Sequence, residues 1–265
     1  MTEGKRFSKE SFIYVFGESL SKALAFFLLP IYTSYLSVED FAVLSIVSVL
    51  WPIIVIILGQ GFSAYIIRGY YDNTDEKEFI GTVLIFSMIV GVAIASTLHL
   101  IGPWLFEHIF KQLTYRPYLQ YGVFFAVFRL YFTHVVSTYR AKRQAKTSIF
   151  LSFILFSFNS IAVIIAIYLL DAGLNGILNA QLIAYFIVAI VYTLKISSEI
   201  KLKLNLRLII PGIWFVLPLI PHALSAWLIN YVGRVFVERS MSLTDLSIFS
   251  VATQLAMSLS VINNG

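Results

Sequence analysis

The sequence predicts an all-α fold, a polytopic bundle of about eight transmembrane helices, and three observations support this. Of its 265 residues, 59% are hydrophobic and only 12% are charged, whereas a soluble domain carries about 25% charged residues. The mean hydropathy is +0.85. Apolar stretches of about 20 residues, the length that crosses a bilayer as a helix, recur along the chain. This composition excludes a soluble enzyme, a nucleic-acid-binding domain and, because cysteine is absent, a disulfide scaffold.

Eight apolar segments are expected to cross the membrane in turn. Each is about twice as long as a transmembrane strand and lacks strict alternation, so helices are favoured over strands. The segments are Ile13–Tyr35, Val43–Ile67, Ile80–Ile101, Leu119–Thr138, Ile149–Leu170, Leu174–Leu194, Ile209–Val232 and Leu246–Gly265. Prolines inside a helix interrupt its hydrogen-bond ladder. The candidate bending points are Pro30, Pro52, Pro218 and Pro221.

The basic residues predict which ends of the segments face the cytoplasm. Of the 19 Lys and Arg residues, thirteen lie at one set of ends, four at the other set and two inside segments. The main basic clusters are Arg140–Lys146 and Lys195–Arg207. Because Lys and Arg concentrate in cytoplasmic loops, we expect the N-terminus and both clusters to be cytoplasmic. The short turns between segments 1 and 2 and between segments 5 and 6 are then external.

A short internal repeat relates the start of segment 2 to the start of segment 8. Residues 36–45 resemble residues 241–250 at an offset of 205. The identical pairs are Ser37/Ser242, Asp40/Asp245 and Ser45/Ser250. Both stretches contain Ser-x-x-Asp, a variant of the capping box in which the hydroxyl accepts a backbone N–H and the acid reaches back. The repeat predicts that segments 7 and 8 restart the fold of segments 1 and 2.

This repeat divides the chain into two predicted units. Residues 1–208 form an N-terminal six-helix lobe, and residues 209–265 form the first two helices of an incomplete second lobe. Two complete lobes of a repeat transporter would need about 410 residues. We therefore expect a chain that is truncated at its C-terminus and inactive alone.

The first segment and its turn resemble a known family. Leu28–Tyr32, with its Leu-Pro-Ile sequence, and Leu36–Phe41, with its Leu-Ser-x-Glu-Asp-aromatic sequence, resemble the opening of the polysaccharide exporters of the multidrug/oligosaccharidyl-lipid/polysaccharide superfamily. Segment 7 and the following Gly233-Arg234 are similar to the start of the second half of these proteins. Gly233 stands where the family has Asp, and Ala42 stands where it has Gly. The resemblance implies a membrane transporter built from two helical lobes.

The resemblance also implies a substrate and partners. A flippase of the superfamily's O-antigen and capsule-unit subfamily moves an oligosaccharide on undecaprenyl diphosphate across the bacterial inner (plasma) membrane by alternating access, and breaks no bond. The implied partners are this lipid-linked oligosaccharide, membrane lipids, a polysaccharide polymerase and a chain-length regulator, with no nucleic acid and no cofactor. One alternative is a multidrug or other lipid flippase of the same superfamily. The other is a polytopic glycosyltransferase that uses polyprenyl-phosphate sugars.

The glycosyltransferase alternative rests on Glu39 and Asp40, an acidic pair in the first external turn. The repeat argues against it, because Thr244 and Asp245 occupy the equivalent positions and keep only the capping acid. The sequence contains no phosphate-binding glycine loop, nucleophile motif or metal-ligand spacing. A transporter is therefore favoured over an enzyme, and no metal site is expected.

Arg129 is the first candidate for substrate binding. It lies near the middle of segment 4 and has no acidic residue three or four positions away. A charge inside the bilayer costs about 2.5–3.5 kcal/mol on insertion scales, so it needs a partner on another helix, water or an anionic ligand. Its guanidinium can bind a diphosphate through paired hydrogen bonds. Alternatively, Arg129 is a structural partner for a carbonyl or an acid.

Four further charged residues are candidates for the same site. Glu18 and Lys22, four residues apart on segment 1, form either a self-neutralising pair or a pair that lines the cavity. Arg68 ends segment 2, where it is either an anchor that reaches the lipid head groups or a portal residue for the diphosphate. Arg234 follows segment 7 and matches the Arg of the family pattern, which makes it a candidate for the cavity wall.

Overall fold

The computed structural model describes residues 28–263 of the chain, and side chains are described for residues 28–257. This part of the chain is helical throughout, with short turns and one longer linker between the helices. The helices are α1 (residues 28–35), α2 (Val38–Leu58), α3 (Phe62–Gly69), α4 (Glu76–Ile109), α5 (Gln120–Ala141), α6 (Ala145–Tyr168), α7 (Gly173–Ile196), α8 (Leu206–Val216), α9 (Leu219–Ser240) and α10 (Leu243–Asn263). A π-helical turn (Tyr115–Leu119) precedes α5, and a 3₁₀ turn (Ser197–Glu199) follows α7.

The repeated Ser-x-x-Asp sequences both begin helices. Ser37 precedes α2 and accepts a hydrogen bond from the backbone N–H of Asp40, at 3.0 Å. Ser242 precedes α10, accepts from the backbone N–H of Asp245 at 3.2 Å and donates its own N–H to the Asp245 carboxylate at 3.1 Å. Each cap satisfies backbone groups that a helix start leaves without partners. The preceding helices also end at matching places, at residues 35 and 240.

Segment 2 was predicted as one continuous helix, Val43–Ile67, and the structure corrects this. The helix stops at Gly59, whose φ of 112° is left-handed, and the chain resumes as α3 at Phe62. Glycine adopts this conformation without the Cβ clash that other residues suffer, and it commonly ends helices. Pro52 was a predicted bending point, yet α2 continues through it.

Segment 7 is also broken. Its two parts, α8 and α9, meet at an angle of 49° at Leu217 and Pro218. Pro218 begins α9 as its N-cap, where a missing N–H carries little cost, while Pro221 lies inside the first turn of the new helix. Of the predicted bending points Pro52, Pro218 and Pro221, Pro218 is thus the one that lies at a bend.

The described helices are consistent with a multi-span membrane protein. Five of them are long and apolar enough to cross a bilayer, and the bent pair α8–α9 makes six if it is one span. At about 1.5 Å per residue, the 34-residue α4 is about 51 Å long, which exceeds a hydrocarbon core of about 30 Å. The prediction of an all-α membrane bundle is confirmed.

Burial separates central helices from peripheral ones. In the apolar 18-residue stretch of each span, 67% of the residues of α2 and 61% of those of the α5 span are buried, against 22% of those of α6. Accordingly α2 packs on α5, α9 and α10, whereas α6 packs mainly on α7. The exposed apolar residues of α6 and α7, such as Phe150, Ile161 and Phe186, form the surface expected against lipid. The centre of the bundle is therefore the place for a polar site.

The two ends of the bundle differ in charge. We call the end that carries the α5–α6 turn and the α7–α8 linker the basic end, and the other end the opposite end. At the opposite end, the Tyr35 hydroxyl donates to the Asp171 carboxylate at 2.7 Å and accepts from the N–H of Gly173 at 3.1 Å. These contacts place the α1–α2 and α6–α7 turns side by side.

At the basic end, residues 200–205 of the α7–α8 linker lie along the start of α4. Lys201 pairs with Asp75, and Lys203 pairs with Glu78 at 3.1 Å. The buried Thr82 hydroxyl donates to the carbonyl of Lys203 at 2.9 Å. The Lys201 ammonium lowers the pKa of the Asp75 carboxyl, and this carboxyl in turn raises the pKa of Lys201. The linker that enters α8 is thus fixed to α4 up to residue 205.

Candidate functional site

A polar cavity of about 280 Å³ lies near the middle of the bundle. It is surrounded by α1, α2, α5, α6, α7 and α10, so the first helices of the chain and the last one both contribute to its wall. Its polar lining residues are Tyr32, Ser45, Ser48, Arg129, Asn159, Gln181, Tyr185 and Gln254. Phe41, Trp51, Phe125 and Phe156 are among the aromatic and apolar remainder. Its described lining combines one cation with amides and hydroxyls, a set suited to an anionic, hydroxyl-rich ligand.

Arg129 is the cation of this cavity, and it is held by aromatic groups. Its Nη2 donates to the Tyr185 hydroxyl at 2.8 Å. Its Cζ lies 4.8 Å from the centre of the Trp51 ring and 5.2 Å from that of Tyr185. Its Nε is buried and has no hydrogen-bond partner among the described residues. Rings and a hydroxyl position the guanidinium, and no acidic side chain among the described residues compensates its positive charge.

The Asn159 amide, another polar group of the cavity lining, has spare hydrogen-bonding capacity. The Asn159 Oδ1 is buried without a partner among the described residues. The Gln181 Nε2 donates to the Tyr32 hydroxyl at 3.2 Å, which links α7 to α1. Buried polar groups are normally satisfied, so unsatisfied ones facing a cavity mark where water or a ligand binds.

A larger groove of about 710 Å³ lies on the other side of α5 and α7. Ser96 and His99 are its polar lining residues, and the His99 Nδ1 is 3.0 Å from the Tyr115 hydroxyl. The rest of the lining is apolar and includes the exposed Val92, Leu100 and Phe186. The described lining of this groove contains no Lys or Arg and includes exposed apolar side chains, so the smaller polar cavity is the better candidate site.

Arg68 and Arg234 lie elsewhere in the structure. Arg68 is exposed at the basic end, with its Cζ 5.2 Å from the centre of the Phe215 ring. It lines a cleft of about 350 Å³ between α3 and α8, together with Asp72 and Arg207. Arg234 is buried, and its Nε and Nη2 donate to the Thr253 hydroxyl at 3.3 and 3.0 Å. The structure does not bring these two residues into the lining of the Arg129 cavity.

Glu18 and Lys22 lie outside the described residues. The sequence analysis missed most of the cavity lining, including Trp51, Asn159 and Tyr185. One signal was available for Asn159 and Gln181, since an amide inside an apolar segment commonly hydrogen-bonds across helices. Among the described residues, no group of three or more His, Asp or Glu side chains could hold a metal ion.

The repeat of the sequence corresponds to a contact in the structure. The Ser250 hydroxyl of α10 donates to the Ser45 hydroxyl of α2 at 3.0 Å, and both residues are buried. These two serines occupy the same position of the repeat. In a pair of units related by twofold symmetry, a residue meets its own counterpart only beside the symmetry axis. Nearby, the indole N–H of Trp227 donates to the carbonyl of Val49 at 3.0 Å, which joins α9 to α2.

Comparison with solved structures defines the class of fold. A chain described only as protein A aligns with a TM-score of 0.76 and 17% identity, over 98% of this chain and 62% of that one. An inward-facing multidrug resistance MATE family transporter of the MOP superfamily aligns with a TM-score of 0.64 and 17% identity, over 90% of this chain and 58% of that one. The chain therefore has the helical membrane fold found in MOP superfamily transporters.

The family model of polysaccharide biosynthesis proteins matches residues 33–264, and the chain belongs to this family. The curated Lsg locus putative protein 1 of Haemophilus influenzae is 24% identical in a 264-residue alignment that covers 96% of this chain and 62% of that protein. The chain thus spans about three fifths of the length of this relative. The predicted family is confirmed, and the family and the transporter fold agree with the prediction that the chain is not an enzyme.

Proposed function

We propose that the chain contributes one six-helix lobe, and the start of a second, to a flippase for oligosaccharides linked to undecaprenyl diphosphate. The proposed location is the bacterial inner membrane, with the N-terminus in the cytoplasm. The two proposed units are residues 1–208 and 209–265, and they rock about the Arg129 cavity in alternating access. A polysaccharide polymerase and a chain-length regulator would act on the product on the far side.

The observation that carries the proposal is the Arg129 charge, which no described acidic side chain compensates, in a cavity whose lining includes amides and hydroxyls. A diphosphate offers several anionic oxygens, and a guanidinium binds such groups through parallel N–H···O bonds. The buried Nε and the Asn159 Oδ1 still lack partners among the described residues. An anion with attached sugars would supply an acceptor for the first and hydroxyl donors for the second.

The repeat supports a second cation, Arg234, in the other unit. The offset of 205 aligns Leu29 with Arg234 and Ser48 with Thr253. Leu29 and Ser48 both line the Arg129 cavity, and Arg234 hydrogen-bonds Thr253. Arg234 therefore occupies the repeat-related place of the cavity wall. We infer that each unit presents one arginine to the substrate path, from opposite sides of the axis near Ser45.

The charge distribution supports the direction of transport. Because basic residues concentrate at one end, that end is expected to face the cytoplasm. The cleft with Arg68 and Arg207 lies at this end, between α3 and α8. It would meet the diphosphate of the incoming lipid before the central cavity does. Glu18 and Lys22 remain proposed cavity residues on the first segment.

Substitution of Arg129 tests the proposal. Variants should be placed in the gene at its own chromosomal locus, and surface polysaccharide and membrane-bound lipid-linked oligosaccharide should both be measured. Arg129→Ala should abolish surface polysaccharide and cause the lipid-linked precursor to accumulate. Arg129→Lys keeps the charge without the planar fork and should retain partial transport. Arg116→Ala, which removes an exposed arginine before α5, is the matched control and should be unchanged.

Two results would contradict the proposal. Normal polysaccharide in the Arg129→Ala strain, with normal protein in the membrane, would make Arg129 a structural partner only. Normal polysaccharide in a strain that lacks the gene would remove the proposed substrate and favour the multidrug or other lipid flippase. Membrane levels of each variant separate a loss of transport from a loss of folding.

A further inference from the structure

A buried carboxylate joins α9 to the loop after α4 at the opposite end. Glu238 is 0% exposed. Its Oε1 accepts from the backbone N–H groups of Lys111, Gln112 and Leu113 at 3.1, 2.6 and 3.2 Å, and its Oε2 accepts from that of Lys111 at 3.2 Å. Three successive N–H groups that converge on one anion form a backbone nest. The carboxylate is thereby compensated by dipoles of the α4–α5 loop.

The residue after Glu238 makes the complementary contact. The Arg239 Nη1 donates to the carbonyls of His108 and Ile109, at 3.0 and 3.3 Å. These carbonyls end α4, where the helix dipole is negative and a cation is favoured. The Gln112 side chain completes the set, since its Nε2 donates to the carbonyls of Glu238 and Met241. An anion and a cation on α9 thus engage adjacent N–H and C=O groups of one loop.

This cluster connects the two proposed units at the opposite end. Residues 108–113 belong to the first unit, and Glu238 and Arg239 belong to the second. At the basic end, the covalent linker is bonded to α4 up to Asn205, and the Tyr65 hydroxyl donates to the carbonyl of Leu208 at 2.8 Å. Parting of the units at the opposite end requires α9 to leave the α4–α5 loop.

We propose that Glu238 and Arg239 form a latch that closes the opposite end of the substrate path and must release for that end to open. This inference rests on the proposed alternating-access function. The latch is specific because each charge meets backbone groups of opposite polarity: the Glu238 carboxylate meets N–H groups, and the Arg239 guanidinium meets carbonyls. A carboxylate left buried without its N–H partners is costly, so an intermediate state in which Glu238 is released but still dry is avoided. The path is then either closed or open to water at this end.

Thiol labelling tests the latch without any substrate. The chain has no cysteine, so Ser250→Cys introduces a single thiol at the buried contact between α2 and α10. A membrane-impermeant maleimide added from the outside should label it slowly while the latch is intact. Adding Glu238→Gln keeps the shape of the side chain but removes its charge, and labelling should become about tenfold faster as charge-assisted hydrogen bonds are lost.

Glu107→Gln is the matched control, because Glu107 is an exposed carboxylate at the same end of α4, and it should leave the labelling rate unchanged. Equal rates for Glu238→Gln and the control would overturn the proposal.

Cross-linking tests the latch with Glu238 in place. In the pair Gln112→Cys/Met241→Cys, a disulfide would join the two sides where the Gln112 Nε2 now donates to the Met241 carbonyl at 2.6 Å. Oxidation should slow labelling of the Ser250→Cys thiol about tenfold and abolish surface polysaccharide, and a reductant should restore both. Unchanged labelling in the oxidised protein would show that α9 need not leave the loop. Slower labelling without any effect on polysaccharide would support the latch and contradict the proposed substrate.

Discussion

Arg129 shows how a charge can be stabilised in a bundle without being neutralised. Two aromatic rings and one hydroxyl surround the guanidinium. A cation–π contact contributes about 0.5–2 kcal/mol, depending on desolvation, which offsets part of an insertion cost of about 2.5–3.5 kcal/mol. These contacts orient the guanidinium but supply no counter-charge. The remaining cost is what an anionic ligand would relieve.

The Tyr185 hydroxyl offers a test at the scale of one hydrogen bond. Tyr185→Phe keeps the ring under the guanidinium and removes the acceptor of Nη2. A hydrogen bond to a charged group contributes about 1.5–3 kcal/mol, so transport should fall several-fold while the protein still inserts. Surface polysaccharide and membrane level are the measurements. Tyr131→Phe, which removes the 2.8 Å contact with Thr193 on the same helix pair, should have little effect. Equal losses in both variants would show that Tyr185 only supports the α5–α7 packing.

At the scale of elements, the α7–α8 linker is held by buried groups more than by ion pairs. The side chains of Lys201 and Asp75 are 55% and 41% exposed, and exposed pairs contribute about 0.2–1 kcal/mol. Thr82, in contrast, is fully buried and bonds both the carbonyl of Lys203 and the N–H of Asn205. Gly81 permits this approach, because a Cβ at this position would lie 1.9 Å from the carbonyl oxygen of Lys201.

Gly81→Ala should detach the linker from α4. The new methyl group would meet rigid backbone, so the linker must move, and overpacking of this kind costs about 1–3 kcal/mol. Trypsin should cleave faster at the linker residues Lys201 and Lys203, and the unfolding temperature in detergent should fall. Gly91→Ala on the same helix is the control, since its Cβ meets only the flexible end of Leu130, at 2.9 Å. Unchanged cleavage in Gly81→Ala would show that the linker is not fixed by this contact.

The sequence predicted the helices well and their interruptions poorly, for physical reasons. Hydropathy locates a span because the bilayer imposes one length and one polarity. The break at Gly59 and the bend at Leu217 depend on how neighbouring helices satisfy the freed backbone, which no single segment reveals. Pro52 gives the clearest example, since it was a candidate bend and lies in a continuous helix.

The candidate site was predicted only where the sequence itself was unusual. Arg129 was identified because a charge is rare within an apolar segment. Its neighbours Trp51 and Tyr185 are ordinary in membrane helices, and they become part of a site only through packing between α2, α5 and α7. Glu238 was not identified as a candidate, because a carboxylate near a helix end is usually solvated. Its three N–H partners lie more than 120 positions away in the chain.

At the scale of the whole molecule, polar contacts between the two proposed units lie at different positions along the length of the bundle. The linker contacts lie at the basic end, the Ser45–Ser250 contact lies between α2 and α10, and the Glu238 contacts lie at the opposite end. A rocking motion needs a hinge and a contact that can break. The linker after Asn205 fits the first role, and the Glu238 nest fits the second. This assignment requires that the two ends face different compartments.

The orientation of the whole bundle gives the last prediction. Thirteen of the 19 basic residues cluster at one set of ends, so the basic end should be cytoplasmic. Two single-cysteine variants in the cysteine-free chain probe the two ends, and both positions are exposed. Lys146→Cys lies in the first turn of α6 at the basic end, and Leu170→Cys lies in the α6–α7 turn at the opposite end. An impermeant maleimide should label Leu170→Cys in cells whose outer membrane has been removed or permeabilised. It should label Lys146→Cys only after the inner membrane is permeabilised as well. The cysteine-free parent controls for background. Labelling of both thiols from the same side would contradict the spanning of α6, and the reverse pattern would place the Arg68 cleft on the outside, where it could not receive a substrate made in the cytoplasm.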